Sequence, residues 1–200
     1  MKRKLFTLLF TMLASVGTMF AWDYERVQIG DLYYNLDASN QTAEVTSQNS
    51  DYPYWSTSIT VADIPSSVTY NAVVYSVTSI GYSAFRGCTG LTSVTIGNSV
   101  TSIGDGAFRD CTGLTSVEIP NSVTSIENSA FYGCTSLTSI EIPNSVTSIG
   151  DGAFDDCGLT GPVYNAHVFA FMPTSYSGAY AIPDGIQSIA GGAFWRCTGL

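Results

Sequence analysis

LTSVTIGNSVTSIGDGAFRDCTG, residues 91–113, runs directly into LTSVEIPNSVTSIENSAFYGCTS, residues 114–136. Fifteen of the 23 aligned positions are identical. A third copy, LTSIEIPNSVTSIGDGAFDDCG, follows at 137–158 and is one residue short. Phe85, Phe108, Phe131 and Phe154 recur at this same interval, once per unit, as do Cys88, Cys111, Cys134 and Cys157. Self-similarity at a fixed short period marks a repeat architecture, in which each unit is too small to bury its own apolar face and must share a core with its neighbours.

Within one unit, Ser93-Val94-Thr95-Ile96 alternates polar and apolar, the pattern of a half-buried strand. Pro120 and Pro143 follow that strand, where a missing amide donor costs little; Gly97 holds the place in the first copy. SVTSI makes a second short extended piece with Val100 and Ile103 inward. Ala107, Phe108 and Cys111 stand at helical spacing, which predicts one or two turns of helix or 3₁₀, with Asp105 or Asn128 as its cap.

Outward from the repeats, the ends differ. Lys2, Arg3 and Lys4 precede a mostly apolar run from Leu5 to Phe20, then Ala21. This reads as a secretory signal peptide over residues 1–21; an uncleaved membrane anchor is the alternative. No cysteine lies near Ala21 to carry a lipid, and no later apolar run is long enough to span a bilayer. Without the leader, four arginines face 16 carboxylates, a net charge of −12. Such a surface repels phosphate backbones and argues against nucleic acid as a partner.

Residues 22–63 lack the repeat and are expected to form an N-terminal β cap over the first coil, with 33–46 as a hairpin turning at Asp37–Asn40. Trp22, Tyr24, Tyr33, Tyr34, Tyr52, Tyr54 and Trp55 are expected to pack this cap. The solenoid is assigned to 64–200. Its first copy carries an extra hairpin around Asn71 and Ala72, and a second inserted hairpin at about 159–180 is expected beside the stack. Leu200 matches Leu91, Leu114 and Leu137, so the final coil reads as incomplete and the chain as a fragment of a longer protein.

The pattern LxxVxIPxSVTSIGxxAFxxCxx resembles the BspA-like leucine-rich-repeat family of bacterial surface proteins over about residues 64–200. The resemblance implies a solenoid of stacked 23-residue coils. A parallel β-sheet would line its concave face, with short helical or 3₁₀ turns opposite. It also implies a secreted or cell-surface protein that binds proteins, host matrix proteins such as fibronectin and fibrinogen among them. A spacer module of a larger surface protein, with no ligand of its own, is the second reading.

Candidate sites are few. Ser93, Ser116 and Ser139 should form one row on the strand face, and Thr95, Glu118 and Glu141 the next; these six are the expected partner-binding residues. Strands in register lie about 4.8 Å apart. Two facing carboxylates about 5 Å apart in water repel by only about 0.8 kcal/mol, so a solvated row tolerates them. The five cysteines contain no CxxC pair for zinc and read as a buried structural ladder. His167 is the single histidine, and no GxSxG, HExxH or glycine-rich phosphate loop accompanies it. No enzyme activity, cofactor or metal is expected.

Overall fold

The computed structural model describes residues 22–48 and 59–200. The expected leader at 1–21, and Tyr52, Tyr54 and Trp55, lie outside these residues. The chain begins with β1 (Tyr24–Ile29), β2 (Leu32–Asp37) and β3 (Thr42–Thr46). Next come β4 (Val61–Ile64), β5 (Ser67–Tyr70), β6 (Val73–Ile80), β7 (Ser93–Ile96) and β8 (Ser102–Ile103). They are followed by β9 (Ser116–Glu118), β10 (Ser125–Ile126) and β11 (Ser148–Ile149). The last are β12 (Val163–Tyr164), β13 (Val168–Phe171) and β14 (Ser188–Ile189).

The longest ladder follows the second extended piece of each repeat, SVTSI. Its order is β1-β2-β3-β6-β8-β10-β11, with β5 hydrogen-bonded to β6 off that path. From β3 onward the path is parallel, with Ser79, Ser102, Ser125 and Ser148 in register. A second ladder, β4-β7-β9, follows the LTSVTI piece. Threonines reinforce both. The hydroxyls of Thr101 and Thr124 donate at 3.1 Å to the carbonyls of Thr78 and Thr101, one coil earlier, and that of Thr115 donates to Thr92 at 3.0 Å.

One core runs through these layers. Leu91, Leu114 and Leu137, Val100, Val123 and Val146, and the phenylalanines from Phe85 to Phe154 are buried in it. Phe85, Phe108, Phe131 and Phe154 form a stack with centroids 5.2, 5.3 and 5.5 Å apart and rings within 11° of parallel. Leu36, Ala43 and Val45 of the N-terminal meander belong to the same cluster. The meander therefore covers the apolar cross-section that the first coil would otherwise expose to water.

Both hairpins expected ahead of the regular repeats are present. Asp37 accepts from the amides of Ser39 and Asn40 and closes the β2–β3 turn. Asn71 and Ala72 link β5 to β6 with φ of 48° and 63°. Two consecutive left-handed residues are what the twist of a tight hairpin requires.

The AFxxC segment differs from expectation, because no helix or 3₁₀ turn occurs among the described residues. Ser83, Gly106, Ser129 and Gly152 have positive φ, and so do Gly87, Asp110, Gly133 and Asp156. Two left-handed residues per repeat interrupt any right-handed helix. Alternate amides bond between coils: Phe85 N–H reaches Ala107 O at 2.7 Å, and Phe108 and Phe131 repeat this one and two coils on at 2.8 Å, while Ala107, Arg109 and Cys111 bond three residues back within their own turn. Asn128 likewise does not cap its own turn. Its side-chain oxygen accepts from Asp151 N–H at 2.8 Å, on the following coil.

The segment near 159–180 also departs from the expected hairpin beside the stack. β12 and β13 do pair antiparallel, but β13 pairs at the same time in parallel with β14. All four β13 residues are buried. Met172 N–H bonds Ala193 O at 2.7 Å, as Phe131 N–H bonds Ala153 O, so Met172 takes the place of a repeat phenylalanine. Asn165 fixes the turn: its amide donates to Pro143 O and Val146 O at 2.9 and 2.8 Å, and its oxygen accepts from the amides of His167 and Val168. The segment is thus a degenerate layer of the stack.

Candidate functional site

The strand-face residues follow from the β4-β7-β9 ladder. Inward positions are apolar, so Ser93 and Thr95 of β7 turn outward, as do Ser116 and Glu118 of β9. The register pairs Ser93 with Ser116 and Thr95 with Glu118. Ser93 is half-buried; Thr95, Ser116 and Glu118 are exposed. Ser139 and Glu141 are exposed too, but residues 137–142 form no ladder strand. Pairing stops at β9, so the expected third members of both rows, Ser139 and Glu141, are not held in ladder register with Ser116 and Glu118. Glu141 still borders Glu118. With Ser116, Asn121, Pro143 and Asn144 they line an open recess of about 640 Å³.

One row member was missed by sequence reading. Asp63 of β4 pairs with Thr95, which places it in line with Glu118. It stands further upstream of Thr95 than one repeat period, because the β5–β6 hairpin lengthens the first copy. The assigned solenoid start at residue 64 therefore cuts through β4. Charge is mixed on the turns, where Asp105, Asp110, Asp151, Asp155 and Asp156 accompany the arginines. Arg86, Arg109 and Arg196 all lie on AFxxC turns, and Arg109 rests 4.5 Å over the Tyr132 ring. Among the described residues no salt bridge reaches Asp63, Glu118 or Glu141.

The cysteines have structural surroundings. Cys111, Cys134 and Cys157 donate from Sγ to the carbonyls of Phe85, Phe108 and Phe131 at 3.0, 3.2 and 3.0 Å. All five thiols are free. The hydrogen-bonded contact with Cys88, together with burial, pushes the Cys111 thiol far above its ordinary range, and Cys134 does the same to Cys157. A thiol held neutral is a poor nucleophile and a poor metal ligand. His167 contributes through its backbone, its carbonyl accepting from Gln187 and Ser188. Among the described residues no three His, Cys, Asp or Glu side chains are grouped to hold a metal.

A family model described as the BspA type leucine rich repeat region matches residues 50–181 as six copies. The chain belongs to that family. The BspA-type match begins before residue 64 and runs through β13, in keeping with β4 and β13 being parts of the stack. The chain is 32% identical to a leucine-rich repeat protein from Bacteroides ovatus, with a TM-score of 0.65 over 90% of this chain. It spans 40% of that protein's length. It is 35% identical to a leucine-rich repeat protein from Bacteroides capillosus, TM-score 0.59, covering 70% of this chain and 98% of the other. The leucine-rich repeat protein of T. pallidum shares the fold, with a TM-score of 0.57 at 23% identity. No curated protein matches the chain.

Proposed function

We propose that this BspA-type chain is an exported, surface-associated, non-enzymatic binding solenoid. Its partner is a protein, received on the outward face that carries Ser93, Thr95, Ser116, Glu118, Ser139 and Glu141, extended by Asp63. The observation that carries this reading is the acidic row. Asp63, Glu118 and Glu141 line one sheet face, and no salt bridge reaches them among the described residues. The leader at residues 1–21 supports export. The family supports protein rather than small-molecule recognition, and host matrix proteins are the first partners to test.

The test is binding of the chain without its leader to immobilised fibronectin and fibrinogen, beside a Glu118→Gln/Glu141→Gln variant. Saturable binding that weakens in the variant and with added salt supports the face as the site. Equal binding by the variant moves the site elsewhere. No binding to any protein panel assigns the chain the role of a spacer module.

A further inference from the structure

A second recess, of about 720 Å³, opens where the N-terminal meander meets the first coil. Its walls come from the β1–β2 turn, from β4 and from β5. Tyr34, at the centre of β2, lines it although only 1% of the residue is exposed. The ring belongs to the core, as the phenylalanines do in later layers, but its hydroxyl has no hydrogen-bond partner among the described residues. Burial and the neighbouring Asp63 charge raise its pKa to about 12, so it stays neutral. An unpaired hydroxyl on a buried ring contributes nothing to the fold that phenylalanine would not. Asp31 and Asp63 lie on the same recess, both exposed, and no salt bridge reaches either among the described residues. Ile29, Val61 and Val68 supply an aliphatic wall.

We infer that this recess is a subsite for a lysyl side chain of a protein partner. Two carboxylates and one phenolic oxygen offer three acceptors, and an ammonium has three donors. The aliphatic wall suits the four-carbon stem, which buries its methylenes while the charged head meets the acids. The inference rests on the protein-binding reading only for the source of the side chain, not for the recess.

The probe is Nα-acetyl-lysine amide, compared with its neutral norleucine counterpart, titrated into full chain carrying ¹³C-labelled tyrosine. The expected result is a saturable shift of the Tyr34 ring signals with the lysine probe alone. The apparent Kd should weaken about tenfold in Asp63→Asn, read at the Tyr34 ring, and measurably in Tyr34→Phe, read from the ¹⁵N amide shifts of Asp31 and Asp63, a variant that keeps the ring packing. Equal response to the norleucine probe, no shift of Tyr34, or unchanged affinity in both variants overturns the inference. Because the probe is a small molecule, the outcome is separate from whether the Glu118–Glu141 face takes a protein.

Discussion

Removing one ring from the middle of the phenylalanine stack tests the shared core most directly. Phe131 is fully buried, with Phe108 at 5.3 Å on one side and Phe154 at 5.5 Å on the other. Burying about 150 Å² of aromatic surface at about 25 cal/mol per Å² is worth about 4 kcal/mol. Both neighbouring coils are held in place by further hydrogen bonds, so the gap left by Phe131→Ala cannot close. The loss should therefore fall in the range of about 3–5 kcal/mol for buried phenylalanine truncations. Phe194, at the other end of the chain, is half-buried and stacks on Phe169 at 5.0 Å. Phe194→Ala should cost about half as much. Urea unfolding followed by circular dichroism gives both values, and amide exchange shows whether coils beside Phe131 open first. A Phe131→Ala cost below about 1.5 kcal/mol, or a Phe194→Ala cost equal to it, would refute the idea that coil stability comes from nearest-neighbour stacking.

Alkylation of the native protein should modify the half-buried Cys197 well before Cys111, Cys134 and Cys157, whose thiols donate to carbonyls one coil earlier; peptide mass mapping against time reads the order. Burial raises the Glu44 carboxyl above the ordinary glutamate range despite its hydrogen bonds with Asn35 and Ser79. The folded state thus binds this proton more tightly than the unfolded chain. Stability from this group is fully present at acid pH and is lost as pH rises through that window. Glu44→Gln should flatten that part of the stability profile and raise the urea midpoint at neutral pH, the Ser79 hydroxyl turning to accept from the new amide. Ala72 holds φ of 63° in the β5–β6 turn, so Ala72→Gly should stabilise by about 1 kcal/mol, a small rise in Tm.

How much was legible depended on whether a contact obeys the period. Sequence reading found the phenylalanine and cysteine stacks, the Ser93–Ser116 and Thr95–Glu118 pairs and the Asn71–Ala72 hairpin. Each is either a contact between equivalent positions one repeat apart or a local turn. The AFxxC turn was misread because apolar spacing alone does not distinguish a helical turn from a run of tight turns whose alternate amides bond to the next coil. The positive-φ positions occupied by Gly, Ser and Asp were the available signal.

The residues by themselves determined that this chain stacks, because a 23-residue unit cannot bury its apolar positions alone. Tertiary structure decided what lies beside the stack. Asp63 joined the acidic row only when β4 paired with β7 across a stretch longer than one repeat. β13 entered the core because Asn165 fastens its turn to Pro143 and Val146. The Tyr34 recess exists because a non-repeating meander and an interrupted first coil meet there. These contacts join segments of unequal spacing, and their geometry is set by packing rather than by any period that sequence displays.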